Sequence, residues 1–192
     1  MQTYFTSDTH FGHGGMMSPR MGRPRPFRSV EEMDEHIVAT WNNRVRKNDT
    51  VWHIGDFAYG CGRAHARAIF ERLNGRKLLI RGNHDQRSED LPWAEPVRDV
   101  ARITVQDSGM RRPVDLWLSH YAHLSWPDAF RGRIHLFGHS HGAILATSIS
   151  CDVGVDVWAF RPVTIPEIQE LLADVAAREG GPVAATALAE AA

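Results

Sequence analysis

Lysine is nearly missing from this 192-residue chain. Lys47 and Lys77 are the only two among 22 basic residues, and the rest are arginine. An excess of one charge is missing too, because 23 acidic residues leave a net charge of −1. That balance excludes a dedicated nucleic-acid binder built on global positive charge. Cysteine is scarce. Cys61 and Cys151 are too few for a disulfide framework and form no C-x-x-C, which points to a reducing compartment. No apolar run approaches the roughly 20 residues of a membrane helix. The opening Met1–Asp8 has neither the charged nor the apolar region of a secretory signal. The expectation is a cytoplasmic protein with no membrane partner. A composition of 43% hydrophobic and 23% charged residues excludes a disordered chain. The length suits one compact domain whose core needs neither disulfides nor a structural metal.

Histidine, by contrast, is abundant. There are 11, several beside Asp, Asn or Gly. Residues 2–8 read as a strand ending at Asp8, followed by a Gly/Pro/Arg loop from Gly12 to Arg28. Ser29-Val-Glu-Glu32 is a capping-box pattern, and Met33, Ile37, Trp41 and Val45 follow at helical spacing, so 30–46 is an expected helix. A strand over 49–54, a helix over 63–73 stopped by Asn74-Gly75, and a strand over 77–80 come next. This alternation predicts a parallel sheet. Short strands are expected at 101–106, 113–119, 134–138, 143–148 and 152–160, more antiparallel in character, before a helix from Thr164 to about Val175. A single domain is expected over 1–177, with a flexible tail over 178–192.

Metal-type residues recur at the ends of the predicted strands: Asp8-Thr-His10, Gly55-Asp56, Gly82-Asn-His-Asp85, Ser119-His120 and Gly138-His-Ser-His141. Ligands gather at the carboxyl ends of strands in open α/β sheets, so five strand ends would converge on one crevice. In an extended chain, i and i+2 share a face, which would let Asp8 and His10 grip one ion and turn His139 and His141 into the same site. Asn83 and His84 are adjacent and must diverge, one toward metal and one toward substrate. A set of His, Asp and Asn without thiolate suits Mn, Fe, Zn, Co or Ni. Seven candidate ligands are too many for one tetrahedral ion. They fit two ions sharing a carboxylate, roughly 3.5–4 Å apart, which activate a water for attack on a phosphoryl group.

The ordered set D-x-H, G-D, G-N-H-D, H and G-H-x-H resembles the calcineurin-like metallophosphoesterases. It spans residues 8 to 141, and the order of all five motifs is specific where any one alone is not. The opening Asp8-Thr-His-Phe-Gly-His13, Arg25-Pro-Phe27 and Val153-Gly-Val-Asp-Val-Trp158 are similar to small bacterial and phage members. The resemblance implies an α/β fold, a four-layer α/β/β/α sandwich of two mixed sheets flanked by helices. It implies one cation on Asp8, His10, Asp56 and His141, and a second on Asp56, Asn83, His120 and His139, with Asp56 bridging. The cations would be two divalent transition-metal ions, Mn first and Fe, Zn, Ni or Co as alternatives. His84 would contact the phosphate or protonate the leaving oxygen, with Asp85 orienting it. The G-D-x-x-D-R-G of the protein phosphatases is replaced by Gly55-Asp-Phe-Ala-Tyr-Gly60, which argues against a phosphoprotein substrate.

The expected activity is hydrolysis of a phosphate ester by a hydroxide bridging the two metals, a diester in preference to a monoester. Cyclic nucleotides, nucleic-acid ends, dinucleotides and small phosphomonoesters are all open as substrates, as is the oligomeric state. Two other readings stand beside it. One is an interaction scaffold with a degraded site, as in a retromer subunit, against which the presence of His84 counts. The other is a nuclease, supported only locally by the arginines of Pro19–Arg28. That run reads either as a stiffened solvated loop or as a lid whose Arg25 grips phosphate. His13 is a candidate substrate-facing residue. Asp152 and Asp156 are expected to be structural.

Overall fold

The computed structural model describes residues 1–180, so the portion of the expected tail beyond Gly180 lies outside the described residues. Two mixed four-stranded sheets pack face to face. In the first, β1 (Thr3–Thr6), β2 (Thr50–Ile54) and β3 (Arg76–Ile80) run parallel, and β8 (Val163–Thr164) pairs antiparallel with β1. In the second, β4 (Val100–Val105) and β5 (Val114–Ser119) are antiparallel. Then β6 (Ile134–Phe137) and β7 (Ser150–Asp152) continue the sheet parallel to β5. The predicted antiparallel character of the second half therefore holds only for the β4–β5 hairpin.

Period-2 alternation sorts the side chains into two cores. Phe5, Trp52, Ile54, Leu78 and Ile80 face the second sheet and meet Leu116, Leu118, Leu136 and Cys151. The opposite face, with Tyr4 and Val51, is covered by α1 (Val30–Arg44) and α2 (Arg63–Arg72) through Met33, Ile37, Trp41, Ile69 and Phe70. The third helix, α3 (Ile165–Glu179), sends Ile165, Ile168 and Leu172 into the inter-sheet core. Caps set where helices begin. Ser29 accepts from the Glu32 N–H, while the Glu32 carboxylate reaches back to the Arg28 N–H at 2.7 Å. Thr164 and Glu167 form a full capping box on α3. That helix runs on to Glu179, so Arg178 and Glu179 belong to it and not to a tail.

Two expected strands are absent or cut short. Residues 143–148 keep only an isolated bridge between Thr147 and Ser150. The Asp152 carboxylate explains this, because it accepts from the Ser140 hydroxyl and the Gly142 N–H and fastens a turn there. Its other oxygen accepts from the Gly154 N–H at 2.6 Å, which ends β7. Beyond it, Val157 N–H to Gly154 and Phe160 N–H to Val155 bonds coil the chain into turns.

This topology brings the carboxyl ends of β1, β2 and β3 to meet those of β5, β6 and β7. The two sheets are tied there by a bridge between Ser7 and Gly154. Phe5 is fully buried at the centre of the inter-sheet core. Phe5→Ala is expected to cost about 3–5 kcal/mol of stability, read as a lowered urea midpoint at unchanged slope.

Candidate metal centre

Each motif begins where its strand stops, and five of its residues take left-handed backbone. Asp8 (φ 56°), His10 (φ 48°), Asp56 (φ 60°), His139 (φ 63°) and His141 (φ 48°) are all there. Such conformations cost about 1–2 kcal/mol per residue for side chains other than glycine. They cluster where surrounding structure over-determines them. The i, i+2 pairs therefore converge through sharp turns and not through extended strand geometry. Glycine is needed where the loops touch. A Cβ on Gly82 would overlap the Asp56 carboxylate, and one on Gly138 would overlap Ser7 and Asp8.

Two groups of ligand atoms result. Asp8, His10 and His141 form one, and Asp56, His120 and His139 the other, with the atoms of each within 4.8 Å of one another. Asp56 lies between them. Its Oδ2 is 3.5 Å from His10 Nε2 and 3.5 Å from His120 Nε2. Asn83 Oδ1 is 3.1 Å from His120 Nε2, which adds it to the second group. His84 borders the cluster, its ring 5.6 Å from that of His10, and its N–H donates to Asp56 Oδ1 at 2.8 Å.

The donor set fits cations. Both ring nitrogens of His10 are buried and have no hydrogen-bond partner among the described residues. A buried group left unpaired in this way is costly unless something else binds it. Burial drives His10 well below its ordinary pKa and leaves a neutral imidazole, the form that ligates. Burial also pushes the Asp8 carboxyl up to about 7, against the pull of His120 and His141. Burial alone would lower His120, but its contact with Asp56 and the charge of Asp8 outweigh it and hold the imidazolium up to about 9. Asp56 is the reverse. Burial raises it, yet His120, His10 and the His84 N–H bring it well below the carboxylate range. A cation would displace the His120 proton, so binding here is linked to pH.

The ligands are held from behind. His120 Nδ1 bonds the Ile54 carbonyl at 2.8 Å and His141 Nδ1 bonds Asp156 at 2.7 Å, which fixes each ring with Nε2 facing inward. The Asp8 carboxylate accepts from the His139 N–H, stitching the first sheet to the second.

Three expectations need correction or refinement. Arg25 does not stand in a lid. It is buried, pairs through Nε and Nη2 with Asp156 at 2.8 Å, and donates to the backbone carbonyls of Asp8 and Thr9. Its guanidinium is thus consumed inside the fold. Asp85 does not orient His84. Its carboxylate accepts from the N–H groups of Asp56, Phe57 and Gly82 at 2.7, 2.9 and 2.8 Å. His13 does face the cluster, with its ring 5.4 Å from His10, but Tyr59 covers it at 4.7 Å. Two roles escape the sequence reading. Asp156 is more than structural, since it links Arg25 to the ligand His141. Tyr59 lies 4.1 Å from the His84 ring, and its only sequence signal is its place three residues after Asp56.

Similar proteins match most of the chain. The family model of calcineurin-like phosphoesterases matches residues 1–160. The chain is 34% identical to the gene 66 protein of Mycobacterium phage L5, over 93% of this chain and 97% of that one. It is 32% identical to the uncharacterized protein MJ1445 of Methanocaldococcus jannaschii, over 88% and 90% of the two chains. A crystal structure of the protein of unknown function AQ665 from Aquifex aeolicus shares the fold, with a TM-score of 0.63 and 23% identity over 88% of this chain and 98% of that one. The chain belongs to the calcineurin-like phosphoesterases. The family is one of metal-dependent hydrolases of phosphate esters, and the two ligand groups are in keeping with it. Among the described residues no helix is long and apolar enough to cross a membrane.

Asp156→Ala frees the Nδ1 side of His141. Calorimetric titration with Mn²⁺ is expected to show affinity lowered by about 10–100-fold.

Proposed function

We propose that this chain is a two-cation phosphodiesterase. The observation that carries the reading is Asp56 Oδ2, equidistant at 3.5 Å from an imidazole of each ligand group, with His84 beside it. Asp8, His10, Asp56 and His141 would hold one cation, and Asp56, Asn83, His120 and His139 the other. Mn²⁺ is proposed first, with Fe, Zn, Ni or Co beside it; a mixed set of imidazoles, carboxylates and one amide accepts each of them. Two such cations supply charge to the phosphoryl oxygens and make water acidic enough to attack at neutral pH.

The chain's own groups do the rest. The Asn83 side chain extends from the β3 loop to the edge of the cluster, where its amide can donate to a phosphoryl oxygen. The His84 imidazole stands at the same edge, where it contacts the phosphate and passes a proton to the leaving oxygen. Asp85 contributes from below, by fixing the backbone from which Asp56 and His84 project. His13 lines the floor next to His10. Turned inward, Arg25 adds no charge for a dianionic monoester. A singly charged diester asks for less, which supports the diester reading.

The inward turn of Arg25 takes one of the four arginines of Pro19–Arg28 out of any basic nuclease groove, and a complete ligand set argues against a scaffold. The free thiols of Cys61 and Cys151 are compatible with a cytoplasmic setting.

Loaded with Mn²⁺, the protein is expected to turn over bis-p-nitrophenyl phosphate faster than p-nitrophenyl phosphate. A faster monoester reaction would overturn the diester assignment. Asp56→Asn is expected to lose metal content and activity together, measured by elemental analysis beside the assay. His84→Asn should keep its metal content and lose about 10²–10⁴-fold in turnover.

A further inference from the structure

The imidazole of His84 has a proton to deliver, yet no hydrogen bond among the described residues holds its ring. Only its backbone N–H is engaged, by Asp56. The neighbouring carboxylate of Asp85 is taken up by three backbone N–H groups. A half-buried ring without a polar partner hops among rotamers unless packing stops it.

Packing supplies the restraint. Four rings close a circuit at this edge of the centre. Between ring centroids, His84 lies 5.6 Å from the ligand His10, His10 lies 5.4 Å from His13, His13 lies 4.7 Å from Tyr59, and Tyr59 lies 4.1 Å from His84. The contact between Tyr59 and His84 is the shortest of the four. Tilted and edge-on pairs of this kind are favourable by about 0.5–1.5 kcal/mol each. His84 is thus flanked by two rings, one belonging to a ligand and one to Tyr59.

Tyr59 is itself firmly placed. Its N–H donates to the Phe11 carbonyl at 3.2 Å, the Phe11 N–H donates to the Phe57 carbonyl at 2.9 Å, and Ala58 bridges to Phe11. Phe11, Phe57 and Ala58 are all buried. The Tyr59 ring therefore stands on a short ladder between the loops after β1 and β2, and it leans on the loop after β3 that carries His84. His13 backs it from the other side. That ring is packed so closely over Gly15 that a Cβ there would lie 2.5 Å from His13 Nε2. Tyr59 is 43% exposed and its hydroxyl makes no hydrogen bond among the described residues, so the ring serves neither the core nor a polar network.

We infer that Tyr59 is the positioning residue of His84: by packing alone, its ring holds the imidazole in the orientation that serves the leaving oxygen. The inference rests on the phosphoesterase reading for what the imidazole does there, but not for the orientation itself.

The orientation is tested first, on the metal-free protein. Three-bond couplings from the His84 ring carbon to its backbone nitrogen and carbonyl carbon report its χ1 by nuclear magnetic resonance. One rotamer is expected in the unaltered protein and in Tyr59→Phe, which keeps the ring. Averaging over rotamers is expected in Tyr59→Ala and in Tyr59→Leu, which keeps an apolar stem without a flat face. A single rotamer retained in both truncated variants would overturn the inference. The consequence is tested next, on the Mn²⁺-loaded protein, with bis-p-nitrophenyl phosphate and diphenyl phosphate. The first releases a phenolate that departs with little help, and the second releases one that needs a proton. Tyr59→Ala is expected to lose about 10–100-fold in kcat on diphenyl phosphate and clearly less on the nitrophenyl ester, with KM and metal content kept. Tyr59→Phe should recover most of the loss. A merely structural defect would fall on both esters alike, so equal losses in kcat, or a change confined to KM, would overturn the positioning role while the phosphoesterase reading stood. Averaged couplings in the truncated variants of a protein that cleaves neither ester would leave Tyr59 holding His84 and overturn that reading instead.

Discussion

Three backbone N–H groups converge on the carboxylate of Asp85, and the rest of the centre is arranged around that convergence. They come from Asp56, Phe57 and Gly82, so a single buried side chain joins the loop after β2 to the loop after β3. Burial raises the Asp85 carboxyl above its ordinary pKa, and the three donors pull in the other direction. Charge-assisted bonds of this kind are the strong ones. With that clamp closed, Asp56 is turned toward the ligand groups, its own oxygen receives the His84 N–H, and Gly82 lies so close that no Cβ fits. The chemistry at the surface of the site depends on a carboxylate that never reaches it.

A second clamp acts from the opposite sheet. Arg25 grips Asp156 through two nitrogens, Asp156 grips His141, and the same guanidinium bonds the carbonyls of Asp8 and Thr9. The first ligand group is thus bounded by an ion pair that neutralises its own charge inside the fold. These two clamps offset the left-handed backbone of five ligands, whose strain would otherwise relax by opening the loops.

Much of this was legible in the sequence, for a physical reason. Strand ends are marked by the change from apolar alternation to Gly-Asp or Gly-Asn, and parallel strands deliver those ends to one edge. Asp8, His10, Asp56, Asn83, His120, His139 and His141 could therefore be expected at one crevice without coordinates, and the structure brings them together. Asp8 and His10 meet through left-handed backbone where extended geometry is the expectation, and His139 and His141 fall to the two different groups that the family resemblance implies. What was not legible depends on partners far along the chain. Arg25 looked like a surface lid until Asp156, 131 residues away, claimed it. Asp85 looked like a helper of the adjacent His84 because local order hides contacts to the β2 loop. The segment 143–148 has strand-like residues, but the Asp152 carboxylate turns it, and no local propensity encodes that.

The contact between the Asp8 carboxylate and the His139 N–H spans 131 residues and joins the two sheets. Until that closure is made, neither ligand group exists, because each draws on residues from both halves of the chain. Contacts of such separation are costly to close and come slowly when they dominate a topology. The centre is consequently a product of the final docking of one sheet on the other. A nascent chain with only β1, β2 and β3 formed would carry His10 and Asp56 but have no place to hold a cation. The protein is thereby kept from assembling a reactive site before its fold is complete.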